Sequence, residues 1–147
     1  KMAGLASEGK SALPALHEGL KDQDAAVRYW AATGIGNTAV KTGKSVPACL
    51  KIIENDSSTV VRIAAARALL RLNSEETKAL AELTKALESP EQWSRLHAAI
   101  ALDEAEKQAL PVLPALKKAL KNQPNKYIVR VTNKAVNDLL GTSNTVK

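Results

Sequence analysis

The sequence predicts an all-α fold, a right-handed α-solenoid of about four helical hairpins, on three observations. Four arginines in apolar runs, Arg28, Arg62, Arg95 and Arg130, recur at separations of 34, 33 and 35 residues. A second apolar pattern at helical spacing precedes each of them and advances with it. Phenylalanine is absent and aromatics make up 3% of a chain rich in alanine, which favours closely packed helices built from Ala, Leu, Ile and Val. A hairpin of about 34 residues cannot bury its apolar faces alone, so successive units stack on one another.

The first unit, residues 11–40, opens with LPALHEGL, where Leu13, Leu16 and Leu20 mark one helical face. The turn KDQD leads into AAVRYWAATGIG, and Gly34 and Gly36 read as a helix ending at glycine. KTGK at 41–44 separates this unit from the second, residues 45–73, built as VPACLKII, ENDSS and TVVRIAAARALL. Asn73 and Ser74 lead to the third, residues 75–106, with LAELTKAL, ESPEQ and QWSRLHAAIALD. There Ser89 is placed to cap, Pro90 to take the first helical position and Gln92 to complete a capping box. The fourth, residues 109–141, runs through LPALKKAL, KNQPN and YIVRVTNKAVND. Asn133, Lys134 and Asn137 break its alanine pattern, which reads as a polar cap followed by the short exposed tail GTSNTVK.

At 147 residues the chain has the length of a single module, with 45% apolar and 24% charged residues. Its net charge of +6 is uneven: from Lys107 onward eight Lys or Arg face one acid, Asp138, so residues 1–106 sum to about zero. Attraction for polyanions would concentrate at that end. No apolar run is long enough to span a membrane, and KMAGLASEGK lacks the apolar core of a signal peptide. A chain opening on Lys1 reads as a segment of something longer, with Met2 to Ala6 the end of a preceding helix.

These repeats, with L-P-x-L in the first helix, an acidic turn and V-R-x-x-A-A-x-A-L in the second, resemble the armadillo-like HEAT repeat across nearly the whole chain. Asp22 with Arg28, and Asp56 with Arg62 and alanines 64, 65, 66 and 68, carry the resemblance best. It implies a ladder in which turn aspartates and helix arginines hydrogen-bond between adjacent repeats, with Arg95 and Arg130 in the later rungs. Glu88 or Glu91, and Asn122 or Asn125, stand near the aspartate position there, so the ladder is incomplete at those repeats. Four arginines at one repeat position are scaffold rather than catalytic cations, since an interior charge is tolerated only when paired.

At about 100° per residue, the positions one before, three after and seven after each arginine share a side turned toward the hairpin partner: Val27, Ala31, Ile35; Val61, Ala65, Leu69; Ser94, Ala98, Leu102. The positions one, five and eight after it line the opposite, concave side: Tyr29, Thr33, Gly36; Ile63, Arg67, Leu70; Leu96, Ile100, Asp103; Val131, Ala135, Asp138. That side is apolar, and the protein-binding candidates are Tyr29, Trp30, Ile63, Arg67, Leu96 and Ile100. A wheel rotated by one position puts Ile63 and Leu96 in the core instead. Trp30 and Trp93 read as packing between repeats, Trp30 being the better interface candidate.

Chemistry has few candidates, and no catalytic, cofactor or metal site is assigned. His17 and His97 are far apart in sequence and neither sits in H-E-x-x-H. Cys49 reads as a buried inert thiol, and TGIGN lacks the lysine of a phosphate loop. The reading is a non-catalytic docking scaffold whose partner is another protein or an upstream domain of the same chain. The segment LPALHEGLKDQDAAVRYWAATGIG resembles the HEAT-type extensions of some bacterial sulfatases, chiefly in VRYWAATGI. That implies a periplasmic or secreted parent hydrolase with a catalytic C-x-P-x-R or S-x-P-x-R motif upstream, since here Cys49 is followed by Leu50, Lys51 and Ile52.

The alternative is nucleic-acid binding, similar to HEAT-like alkylpurine DNA glycosylases, for which Trp30, Trp93, Asp103 and Asp138 supply the residue types. Lys117, Lys118 and Lys121 lie on a first helix, however, and no basic stripe follows the second helices. A phycobiliprotein-lyase-like role has only the repeat itself behind it.

Overall fold

The computed structural model describes Gly4, residues 9–121 and residues 123–146. The expectation for Met2 to Ala6, apart from Gly4, and that for Asn122 lie outside these. Among the described residues eight α-helices run from Leu13 to Leu140: α1 (Leu13–Gly19), α2 (Ala25–Thr38), α3 (Ser45–Asn55), α4 (Thr59–Arg71), α5 (Glu76–Leu87), α6 (Gln92–Glu104), α7 (Leu113–Ala119) and α8 (Lys126–Leu140). No strand occurs among the described residues. The fold is all-α and made of helical hairpins. Helices α1 and α7 are short, each has proline in its first two positions, and each is led in by a 3-10 turn, Gly9–Ala12 and Glu106–Val112.

The chain forms two compact units, Lys1–Ala79 and Leu80–Lys147, divided within α5. In the first, α1 packs on α2, α3 on α4, and α2 on α4, so two hairpins stack through their second helices. Leu16, Ile35, Cys49, Val61 and Leu69 are completely buried there. In the second, α7 and α6 both pack on α8, around Leu83, Leu102, Leu116 and Ile128.

Two local readings need correction. Helix α2 does not stop at its glycines but runs through them to Thr38, ending at Ala39 in the left-handed region, with φ 50°. A Cβ on Gly36 would stand 2.9 Å from the Ala68 Cα of α4, so this glycine permits close helix contact rather than ending a helix. The capping box at Ser89 is also absent. Glu91 takes the cap position without a side-chain cap bond, the Ser89 Oγ accepts from the Glu91 N–H at 3.2 Å, and Gln92 Oε1 instead accepts from Asn125 Nδ2 at 3.1 Å.

Side-chain caps do occur at Asp24, which accepts from the Ala26 N–H at 2.8 Å, and at Asn125. Asn125 Oδ1 accepts from the N–H groups of Tyr127 and Ile128 at 2.9 and 3.3 Å. Asn125→Ala therefore removes a helix cap and the link to Gln92 together. It is expected to cost about 1–2 kcal/mol, read as a lowered urea midpoint, with Asn125→Asp keeping most of the cap.

Candidate functional site

The recurrent arginines share one device. Arg28 Nη1 donates to the carbonyls of Asp22 and Gln23, both at 2.9 Å. Arg62 Nη1 donates to the Asp56 carbonyl at 2.6 Å, and Arg95 Nη1 to those of Ser89 and Pro90 at 2.7 and 2.9 Å. In all three the guanidinium reaches back six residues to satisfy the turn that starts its own helix. Arg28 goes further: Nε and Nη2 clamp Asp56 of the next hairpin at 2.6 and 3.0 Å. Asp22 folds back on its own turn and accepts from the Asp24 N–H at 2.8 Å. Among the described residues Arg130 stands apart: it is exposed and makes none of these carbonyl bonds.

Burial alone would raise the Asp56 carboxyl, but the Arg28 hydrogen bond, the Ser58 N–H and the charges of Arg28 and Arg62 outweigh it, so its pKa lies below the usual value.

The apolar face divides differently from the expectation. In the first unit Ile63 and Leu70 are each 2% exposed, Thr33 and Gly36 are buried, and Arg67 and Tyr29 are half-buried. Ile63 is thus a core residue. Helix α4 is packed by both α2 and α3 and buries alanines 64, 65, 66 and 68 as well, so little of its circumference is left for a partner. Trp30 remains 41% exposed and meets Tyr29 edge to face, with ring centroids 5.3 Å apart.

The second unit does carry an open face. Trp93, Leu96 and Ile100 follow one another along α6 at helical spacing, and Tyr127 and Val131 do so along α8, which packs beside it. Trp93 is 62% exposed, Tyr127 67% and Ile100 38%, while Leu96 and Val131 are half-buried. Trp93 is therefore a surface residue and not a packing residue between repeats.

The sequence reading missed Tyr127 because it followed the concave stripe only after the arginine; carried one turn toward the N-terminus, that stripe reaches Tyr127 on α8. At the other end Lys134 Nζ reaches Asp103 at 2.8 Å and Asp138 at 2.9 Å. The hydrogen bonds it donates to both carboxylates raise its pKa and keep it charged. A depression of about 260 Å³ lies beside them, walled by Leu102, Ala135 and Leu139 and edged by Glu106.

The groups that suggest catalysis are structural. His17 Nε2 is 3.1 Å from the Ser45 Oγ, which lies 2.7 Å from the Thr42 Oγ1. Thr42 Oγ1 also accepts from the Ser45 N–H at 3.1 Å. Ser45 is completely buried, so its oxygen cannot meet a substrate, and the chain of bonds ties the 41–44 turn to α1. Burial, with Lys44 nearby, lowers the His17 pKa.

Cys49 is fully enclosed and burial pushes its thiol up to about 12. Its labelling by a thiol reagent at pH 8 should be negligible in the native protein and complete in denaturant. Rapid native labelling would show that the first unit opens. Among the described residues no cluster of His, Cys, Asp or Glu could hold a metal ion.

A family model described as HEAT repeats matches residues 13–103 and again residues 46–137. The crystal structure of an engineered protein is similar in fold, with a TM-score of 0.57 at 21% identity over 94% of this chain and 70% of that one. No curated protein matches. With the arginine-braced hairpins described above, the family match over most of the length decides the assignment: the chain belongs to the HEAT-repeat family.

Proposed function

We propose that the chain is a non-catalytic scaffold that docks a protein partner on the face of α6 and α8. The observation that carries this is the exposure of Trp93 and Ile100 on α6 and of Tyr127 on α8, two helices that pack on each other. Aromatic side chains dominate binding energy at protein interfaces and are costly to leave in water without a use. The charged end formed by Asp103, Lys134 and Asp138 supplies a polar rim.

The test is whether the complex formed by the native chain in extracts of its source survives substitution. Trp93→Ser/Tyr127→Ser should release the chain to its free elution volume on size exclusion while the urea midpoint moves by less than about 0.5 kcal/mol. Lys117→Glu/Lys121→Glu, on α7, should leave the complex intact. Loss with the lysine pair but not the aromatic pair would overturn the reading.

Nucleic acid suits this face poorly. Lys134 on this face is held by two carboxylates, and Glu106 and Lys107 stand nearby with opposite charges. On α7, Lys118 pairs with Glu88. Duplex DNA binding is expected to be absent at low salt; tight binding that weakens steeply with salt would favour the nucleic-acid reading. An accessory role beside a sulfatase, with its periplasmic or secreted setting, rests on the VRYWAATGI resemblance, and none of the comparisons supports it. No helix among the described residues is long and apolar enough to cross a membrane.

A further inference from the structure

The two hairpins of the first unit are joined unevenly. Their second helices approach so closely that a Cβ on Gly36 would meet Ala68, whereas α1 and α3 each pack on the second helix of their own hairpin. A groove of about 410 Å³ lies between α1 and α3, lined by residues of both. That volume falls within the range of roughly 300–1,000 Å³ typical of small-molecule sites. The contact between His17 and Ser45 ties the two walls together, so the groove is formed before any ligand arrives.

The apolar surface of the groove comes from Leu20, which closes α1, and from Ala48 and Ile52, one turn apart on α3. Leu20 and Ile52 are buried and Ala48 is half-buried, so together they make a floor. The charges around that floor nearly all cancel. Arg28 and Asp56 line the groove as a clamped pair at 2.6 Å, and Lys21 pairs with Glu18 at 2.8 Å. Burial, with Lys44 nearby, lowers the His17 pKa, so its ring adds no charge at neutral pH.

Lys51 is the cation left over, exposed on α3 and without a carboxylate partner among the described residues. Beside it Asn55 spends one amide N–H on the Lys51 carbonyl, at 3.0 Å, and has a second to offer. One uncompensated positive charge and one amide donor at the edge of an apolar floor match a single carboxylate carried on a hydrocarbon body. The depression on the second unit has the opposite balance, with Asp103, Glu106 and Asp138 against Lys107 and Lys134.

We infer that the groove between α1 and α3 is a binding site for a small apolar monocarboxylate, which lays its hydrocarbon on Leu20, Ala48 and Ile52 and its carboxylate against Lys51 and Asn55. This site is separate from the face of α6 and α8, and it stands whether or not a protein docks there.

Octanoate added to the 147-residue chain is the probe, followed by amide NMR. The signals of Leu20, Ala48 and Ile52 should move along one saturation curve while those of Ala135 and Leu139, in the second depression, stay in place. Octanamide, the same hydrocarbon without the charge, should bind about tenfold more weakly, the loss of one charge-assisted contact. Lys51 is exposed, so its variants should keep the native fold. Lys51→Glu should weaken octanoate about tenfold or more, Lys51→Arg should stay within about threefold of the native chain, and Lys121→Glu should change nothing. No saturable shift at Leu20, Ala48 and Ile52 would overturn the inference. So would octanamide binding as tightly as octanoate, or an affinity for octanoate that Lys51→Glu leaves unchanged.

Discussion

Asp56→Ala is expected to destabilise the first unit by about 3–5 kcal/mol, the usual cost of removing one member of a buried ion pair. The Asp56 side chain is 3% exposed and that of Arg28 14%, so little solvent remains to take over from the lost carboxylate. The substitution also frees the Ser58 N–H, which Asp56 Oδ1 accepts at 2.9 Å. Arg28→Ala/Asp56→Ala should lose less than the sum of the single variants, because no charge is then left unpaired.

The effect depends on pH with a definite sign. The folded Asp56 carboxyl titrates below its ordinary value, so its contribution is complete above about pH 4, the unfolded carboxylate pKa. The contribution decays as pH falls through the folded pKa, and the gap between native and Asp56→Ala in urea unfolding should close in acid. A gap that is the same at pH 7 and pH 2 would show that the carboxylate charge does not brace the hairpins.

Gly36→Val is expected to cost about 3 kcal/mol, at the upper end of overpacking penalties. The added Cβ would meet the Ala68 Cα at 2.9 Å and its Cβ at 3.2 Å. Backbone cannot swing aside as a long side chain can, so α2 and α4 must move apart along a contact that holds the two hairpins together. Gly36→Ala carries the same first clash but recovers up to about 1 kcal/mol of helix propensity, so it should lose less than valine. Gly43→Ala is the control: nothing lies within 4 Å of its Cβ, and its midpoint should shift by less than about 0.5 kcal/mol. Equal effects at positions 36 and 43 would contradict the close-packing argument.

These two sites show where sequence reading reached and where it stopped. The hairpins were legible because their signals are local and repeated: an apolar stripe at helical spacing, a polar turn, an arginine, four times over. Gly36 was misread because its reason lies on Ala68, in another hairpin, and a glycine near the end of a helical pattern looks like a terminator when only its own neighbours are known. Ile63 and Leu96 occupy the same repeat position with different fates. One lies on a helix packed by α2 and α3; the other remains partly exposed on α6, a difference that periodicity within a single helix does not encode.

The link from His17 to Ser45 is invisible for the same reason, since the two are 28 residues apart. Trp93 was read as buried because large aromatics usually are. Its 62% exposure is a tertiary fact that the local sequence does not encode.

The claim that most needs testing is that the α6 and α8 face is where the partner sits. A photo-crosslinking amino acid placed at Ile100 in the chain, expressed in its source cells, tests it most directly, with the same probe at Lys121 on α7 as reference. The account predicts a discrete protein adduct at position 100 that disappears when Trp93→Ser/Tyr127→Ser is added, and none at position 121. An adduct at 121 without one at 100, or an adduct at 100 indifferent to the loss of both aromatics, would contradict it.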